Sequence, residues 1–293
     1  MASPQVDLVL DVRAALGEGP VWHPREQRLY WVDITAGHIH VHDPQGEPDF
    51  VYRVNQMVGA AVPRRAGGLV LAAQNGLGTF DLDRQELTLL ATPEQHLPDN
   101  RFNDGKCDPR GRFWAGTMSL IRQANAASLY CLDTDGTVRH VFGGVTTSNG
   151  LDWSLDQRTM YYIDTPTLQV AAFDYDADSG TISNRRAIIT FPSGVGRPDG
   201  MTVDAEGRLW IAHWDGGRIS RWNPDDGQLL QEIRLPVARV TSCAFGGANL
   251  DRLYITTARH GLTEQQLGEQ PHAGSLFAIT PGVAGLPAQE YLG

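Results

Sequence analysis

The stretch RPDGMTVDAEGRLW, from Arg197 to Trp210, combines the local features that decide the fold. Residues 201–203 and 208–212 are short runs of residues that favour β-strands. The segment DAEG between them is typical of a tight turn, with Gly207 available for a positive φ. The stretch therefore predicts a β-hairpin, with Asp199 at the mouth of its first strand. Gly200 follows and is expected to leave this carboxylate uncrowded before a ligand.

The same unit recurs along the whole chain. A hydrophobic pair marks the second strand of each copy: Leu29-Tyr30, Leu69-Val70, Phe113-Trp114, Met160-Tyr161, Leu209-Trp210 and Leu253-Tyr254. Successive pairs are 40, 44, 47, 49 and 44 residues apart. Short strands repeating at this interval are typical of β-propeller blades. The sequence predicts an all-β protein, a six-bladed β-propeller forming one domain over residues 1–293.

Equivalent positions at the start of each repeat carry polar groups. Ten or eleven residues before each marker pair stand Glu18, Gly59, Asn103, Asn149, Asp199 and Ser242. In a propeller the first strand of each blade lines the central channel, so these six residues are expected to form a ring around the axis. Four of them offer the oxygen ligands that bind metals. Turn formation explains any one Asp-Gly or Asn-Gly pair, but not four donors at equivalent repeat positions.

Composition limits the class of protein. The 293 residues have a formal net charge of −10, which argues against nucleic-acid partners and anionic membrane surfaces. The three cysteines, odd in number and without CxxC spacing, predict free thiols in a reducing compartment. No signal peptide or apolar run of spanning length is recognisable. We expect a cytoplasmic protein with no membrane association and no obligate protein partner.

The alternating segment VDLVLDV, residues 6–12, precedes the first repeat. An early strand often completes the last blade of a closed propeller. We therefore expect this segment to pair with the C-terminal repeat.

The ring suggests metal-assisted chemistry. Glu18 and Asp199 would neutralise a divalent cation, and Asn149 would add an amide oxygen, with Asn103 as a further candidate. Such oxygen ligands suit Ca²⁺, Mn²⁺ or Mg²⁺ and are tolerable for Fe²⁺ or Zn²⁺. Three or four protein ligands leave coordination positions for water and substrate, as in catalytic sites. The sequence contains no GxSxG, Walker, GxGxxG or HExxH motif.

The chain resembles the senescence marker protein/regucalcin and gluconolactonase family along nearly its whole length. The shared segments are GEGPVW at 17–22, NRFNDGK at 100–106, SNGLDWS at 148–154, ISNRR at 182–186 and PDGM at 198–201. The resemblance implies a six-bladed propeller with one metal site in its channel. It also implies metal-dependent hydrolysis of a small-molecule sugar (aldono) lactone, with Ca²⁺, Zn²⁺, Mn²⁺ or Fe²⁺ as the cation.

The resemblance also implies roles for individual residues. Glu18, Asn149 and Asp199 would ligate the metal, Arg101 and Asn103 would contact the substrate, and Asp199 would act as the general base. One position departs from the pattern: Ile121 stands where close animal relatives carry a substrate-contacting glutamate. This removes a partner for a sugar hydroxyl and leaves the particular lactone open.

Three other functions fit the same residues. The metal site could serve an organophosphate or ester hydrolase, because a phosphoryl oxygen can be polarised in the same way. The chain could be a calcium-binding regulatory protein. It could also be a propeller that only binds a partner, although the polar ring argues against this.

Overall fold

The strands of the protein assemble into six separate four-stranded antiparallel sheets. The computed structural model describes residues 4–46 and 49–293. Residues 1–3, at the head of the predicted domain, and residues 47–48 lie outside the described part. Each sheet is one blade, and blades 1 to 6 are numbered here by their innermost strand in chain order.

Four sets of equivalent strands build the blades. The inner strands are β2 (Gly17–His23), β6 (Val58–Pro63), β10 (Asn100–Cys107), β14 (Ser148–Trp153), β18 (Arg197–Val203) and β22 (Val240–Gly246). The second strands are β3 (Arg28–Asp33), β7 (Leu69–Ala73), β11 (Phe113–Ser119), β15 (Thr159–Asp164), β19 (Leu209–Trp214) and β23 (Arg252–Thr257). The third strands are β4 (His38–His42), β8 (Gly76–Asp81), β12 (Ala127–Leu132), β16 (Gln169–Asp176), β20 (Arg218–Trp222) and β24 (Leu276–Ile279). The outer strands are β5 (Phe50–Arg53), β9 (Glu86–Ala91), β13 (Val138–Val145), β17 (Thr181–Thr190), β21 (Leu229–Arg234) and β1 (Asp7–Leu10).

The inner strands close a ring around the channel. Each contacts the inner strand of the next blade, and β22 contacts β2 to complete the circle. The prediction of an all-β, six-bladed propeller is therefore confirmed, and every marker pair lies in a second strand. The assignment of residues 1–293 to one domain stays a prediction.

The hydrophobic core is divided among the six seams between blades. Six buried apolar clusters each join two neighbouring blades. Because side chains alternate along a strand, a second strand contributes to two seams at once. In β19, Trp210 and Ala212 pack towards blade 6, whereas Leu209 and Ile211 pack towards blade 4. All four are fully buried, which explains why the second strands are continuous apolar runs.

The predicted hairpin turn after β18 is present. Gly207 has φ of +75° and donates its backbone N–H to the carbonyl oxygen of Asp204. The Asp204 carboxylate is fully buried and accepts hydrogen bonds from Trp210 Nε1 at 2.9 Å and Arg221 Nε at 2.7 Å. These bonds offset the cost of burying its charge and fix the turn against the second and third strands.

The last blade is built from both ends of the chain. Strand β1 pairs antiparallel with β24, with Asp7 opposite Ala278 and Leu8 opposite Phe277. Val9 and Leu10 pack against the cluster between blades 6 and 1. The expected N-terminal closing strand is confirmed.

Deleting residues 1–12 is expected to lower the melting temperature by about 10 °C. The truncation removes the edge strand of blade 6 and several half-buried apolar side chains, each contributing about 1 kcal/mol. Differential scanning calorimetry measures the shift. Deleting only residues 1–5 leaves β1 intact and serves as the control. Equal melting temperatures for the two truncations would contradict the structural role of β1.

Candidate active site

The five predicted site residues lie on four inner strands, near the end where each strand begins. Glu18 lies in β2, Arg101 and Asn103 in β10, Asn149 in β14 and Asp199 in β18. Their exposed fractions are between 4% and 6%, so all five side chains are buried. We call this end of the channel the mouth.

A bulge interrupts each of these strands next to the site residue. The pairing register shifts between Glu18 and Val21, between Asn149 and Leu151, and between Pro198 and Met201. In β10 it shifts between Phe102 and Gly105. A bulge bends its strand and changes the direction of a side chain. Because the irregularity recurs at equivalent positions, the repeat itself gives the ring residues their common geometry.

Glycines beside the ring bring the inner strands close together. A Cβ on Gly150 would lie 2.7 Å from the carbonyl oxygen of Asp199, and one on Gly200 would lie 2.1 Å from Ser242 Oγ. Gly200 therefore makes room for the next blade. The expectation that it leaves Asp199 uncrowded before a ligand stays a prediction.

Hydrogen bonds connect the polar residues of blades 3, 4 and 5. Arg101 Nη1 donates to Asn103 Oδ1 at 2.7 Å, and Asn103 Nδ2 donates to Asn149 Oδ1 at 2.9 Å. Asn149 Nδ2 donates to Thr165 Oγ1 at 2.8 Å, and the Thr165 hydroxyl donates to the carbonyl oxygen of Pro198 at 2.8 Å. This series of hydrogen bonds links the proposed substrate residues to the strand that carries Asp199.

Thr165 fixes the orientation of the Asn149 amide. The carbonyl of Pro198 can only accept, so the Thr165 hydroxyl must donate to it and accept from Asn149. Asn149 therefore presents its NH₂ group to Thr165 and keeps its oxygen on the Asn103 side. No sequence feature pointed to Thr165, which lies in a 3₁₀ turn (Thr165–Thr167) after the second strand of blade 4.

Like charges are crowded in the channel. Burial, followed by the charge of Asp104, raises the pKa of Glu18 to about 8. Burial, followed by the charges of Glu18 and Asp104, raises the pKa of Asp199 well above its ordinary range. Burial also raises the pKa of Asp104 to about 6. Burial lowers the pKa of Arg101 to about 10, against the charges of Glu18 and Asp199.

Asp104 is a further candidate that the sequence did not single out. Its carboxylate is 8% exposed and accepts the backbone N–H of Gly105 at 2.7 Å. The only available signal was its place in the polar segment at 100–106.

The donor set fits a hard divalent cation. Within residues 4–46 and 49–293, the Asp199 carboxylate is buried without a hydrogen-bond donor, and Glu18 has only the neighbouring Gly19 N–H, at 3.0 Å. A divalent cation would satisfy these oxygens and offset their repulsion. The described residues contain no group of three His, Cys, Asp or Glu side chains arranged for a metal ion. The candidate set reaches three ligands because it includes the amide of Asn149.

A cavity of about 270 Å³ occupies the opposite half of the channel. It is lined by later residues of the inner strands, including Asp104, Lys106 and Asp152, and by residues 286–289. Lys106 Nζ and Asp152 Oδ2 form an ion pair of 2.7 Å there. This cavity is not lined by the five predicted site residues, which belong to the mouth.

The fold and this channel define a class of protein: a six-bladed propeller with buried carboxylates at the channel mouth. The family model described as SMP-30/Gluconolactonase/LRE-like region matches residues 16–259, and the chain belongs to this family. The predicted resemblance is confirmed.

Similar proteins support this assignment. The chain is 42% identical to regucalcin of Danio rerio, with 100% of both chains covered. It is 40% identical to YvrE of Bacillus subtilis, provisionally named a sugar lactone lactonase, over 98% of this chain and 99% of that protein. Regucalcin of Agrobacterium tumefaciens, described as a calcium-binding protein, has a TM-score of 0.94 at 28% identity and 99% coverage of both chains.

The helices were compared with the requirements for crossing a membrane. None within residues 4–46 and 49–293 has both the length and the apolar character needed to cross a membrane.

In the metal-free protein, the contribution of Glu18 to stability is expected to fall as the pH rises from about 4.5 to about 8. In that window the folded state holds a proton that the unfolded chain has released, so raising the pH favours unfolding. Urea denaturation with a chelator at pH 5 and pH 8 measures the loss. Glu18→Gln should reduce it, whereas Glu86→Gln, on an exposed outer strand, should not. Equal pH dependence in wild type and Glu18→Gln would contradict the prediction.

Proposed function

We propose that the protein hydrolyses a sugar (aldono) lactone to the corresponding aldonic acid with the help of one divalent cation. The observation that carries the proposal is the pair of buried carboxylates, Glu18 and Asp199, beside an oriented amide in a gluconolactonase-like channel. Cyclic esters are the substrates that the names of relatives such as YvrE indicate.

Glu18, Asn149 and Asp199 would hold the cation, with Ca²⁺, Zn²⁺, Mn²⁺ and Fe²⁺ as candidates. When bound, it would supply Lewis-acid polarisation of the ester carbonyl and lower the pKa of a nearby water molecule. Thr165 and Asn103 hold the Asn149 amide in one orientation, so they preorganise this part of the site.

The chain's own residues would position the lactone and move the proton. Arg101 and Asn103 are linked at 2.7 Å and would orient the ring hydroxyls. Asp199 would accept the proton of the attacking water at a carboxylate oxygen. It would then return that proton to the ring oxygen as the C–O bond breaks. Because Arg101, Asn103 and Asp199 are all buried, the site would exclude competing water.

A calcium-binding regulatory role is the second candidate, because the similar Agrobacterium structure is described as a calcium-binding protein. A pH-indicator assay after chelation and refilling with single metals separates the functions. Aldonolactone turnover with at least one metal supports the proposal. Calcium binding without turnover of any lactone supports the regulatory role, and hydrolysis of paraoxon alone would identify an organophosphate hydrolase.

Asp199→Asn is expected to lower kcat for aldonolactones by about 1,000-fold, because the amide cannot accept the proton. Metal content is measured alongside, since the amide oxygen remains a potential ligand. Asp174→Asn, at an exposed position on the third strand of blade 4, is the matched control and should keep full activity. Full activity of Asp199→Asn with metal bound would exclude Asp199 as the base.

Thr165→Val is expected to raise the Kd for the divalent cation by about tenfold, because the Asn149 amide loses the partner that orients it. Isothermal titration calorimetry with Ca²⁺ or Mn²⁺ measures the affinity. Thr165→Ser should retain it. Thr167→Val removes a hydroxyl from the same turn that bonds to Asp164 instead, and it should also bind normally. Unchanged affinity in Thr165→Val would remove Thr165 from the site.

A further inference from the structure

Basic side chains from three blades surround the mouth of the channel. Arg122 lies in the loop 120–126 between β11 and β12, Arg197 begins β18, and Arg239 precedes β22. His260 lies in the connection 258–275 between β23 and β24, which contains helix α1 (Glu264–Glu269). We call these four residues the rim. The second strands end and the inner strands begin at this face, so the rim stands above the candidate active site.

The rim and the channel wall act on one another electrostatically. After burial, the largest effects on the pKa of His260 come from the charges of Arg239, Arg101 and Arg122, and all of them lower it. Arg101 belongs to the channel, so positive charge extends from the wall to the outer edge of the mouth. This local excess contrasts with a formal net charge of −10 for the whole chain.

Two of the rim arginines are held in place by one acid. Asp215 accepts Arg197 Nη2 at 2.7 Å and Arg239 Nε at 2.9 Å. The Arg239 guanidinium lies 4.7 Å from the ring centroid of Trp214 and is only 14% exposed. A single carboxylate between two guanidinium groups leaves one positive charge without compensation.

Arg122 adds a further positive charge. Within residues 4–46 and 49–293 it forms no ion pair with an acidic side chain. It is exposed and follows Ile121, whose exposed fraction is 63%.

Other acids of the same face accept hydrogen bonds from groups outside the rim or are exposed. Glu94 accepts hydrogen bonds from Asn100, Thr117 and Tyr130 in blade 3. Asp99, Glu264 and Glu269 are exposed, and none is among the charges that act most strongly on His260.

Arg197 is the rim residue whose charge also reaches the channel, where it lowers the pKa of Asp199. The formal charges of the channel residues can be counted separately. Glu18, Asp104 and Asp199 carry three negative charges when ionised, and Arg101 carries one positive charge. The single divalent cation of the proposed function would neutralise the remaining two. A neutral aldonolactone would therefore leave the rim without a counter-charge.

We propose that the preferred substrate is a lactone that carries an anionic group, a carboxylate or a phosphate, away from the ester that is hydrolysed. The rim would bind this group through charge, while the ester enters the channel. Ile121 fits this assignment because the loop beside Arg122 offers an apolar side chain and not a partner for a sugar hydroxyl. The inference rests on the proposed lactone hydrolysis and specifies its substrate class.

Three lactones with the same ring test the inference: one ending in CH₂OH, one ending in a carboxylate and one ending in a phosphate ester. With the activating metal bound, kcat/KM at low ionic strength should be about tenfold higher for at least one anionic lactone. That advantage should shrink in 0.5 M NaCl, whereas the neutral lactone should show little salt dependence. The better of the two anionic lactones identifies the group.

The same three lactones distinguish a failure of the proposed function from a failure of the inference about the rim. If none of the three lactones is hydrolysed with any metal, the proposed function itself is wrong. If the neutral lactone is hydrolysed as well as both anionic ones, or better, only the inference about the rim is overturned.

An Arg122 series locates the effect. The ratio of kcat/KM for the anionic lactone to that for the neutral lactone should fall about threefold in Arg122→Gln and about tenfold in Arg122→Glu. Arg122→Lys should stay close to wild type. Arg186→Gln, which breaks an exposed ion pair with Asp174 in blade 4, should leave the ratio unchanged. If the ratio stays constant across the series and only inhibition by the carboxylate product weakens, the rim acts on product and the proposal fails.

Discussion

Repulsion among Glu18, Asp104 and Asp199 is the constraint to which the rest of the structure responds. Burial raises the pKa of all three carboxylates. The charge of Asp104 raises the pKa of Glu18 and Asp199 further, and the charge of Glu18 does the same to Asp199. No local feature of three separate strands would hold such groups together. The six apolar seams provide the free energy of folding that does so, because each strand that carries an acid contributes buried apolar residues to at least one of them. The same crowding gives the channel its affinity for positive charge.

Close approach of the inner strands brings the candidate site residues within hydrogen-bonding distance of one another. Gly150 and Gly200 allow neighbouring blades to approach to distances that a Cβ would prevent. The contracted ring lets Asn103 reach Asn149, and Thr165 links that amide to the backbone before Asp199. The proposed substrate residues Arg101 and Asn103, the Asn149 amide and the backbone before Asp199 are thus parts of one hydrogen-bonded unit.

Much of this arrangement could be predicted from the sequence because the repeat carries it. The second strands are buried on both faces, so pairs such as Leu209-Trp210 recur at intervals of one blade, and the ring residues follow from the same counting. The link through Thr165 could not be predicted, since it depends on how a 3₁₀ turn folds back over the strand that carries Asn149. The rim could not be predicted from the sequence either. Arg122, Arg239 and His260 lie in connections between strands, and their positions do not follow the interval of the repeat. The contact between Gly200 and Ser242 could not be predicted either, because close packing between strands cannot be seen in a single repeat.

The origin of blade 6 in both ends of the chain has a consequence for biosynthesis. A nascent polypeptide of some 250 residues already contains every candidate site residue from Glu18 to Asp199, yet it lacks β24, against which β1 pairs. Joining segments so distant in sequence carries a large loop-closure entropy and makes the step slow. The channel is therefore expected to mature only after β24 has been synthesised. A ribosome-bound or C-terminally truncated chain would then hold its acidic residues on an open arc of blades, with their charges separated and solvated.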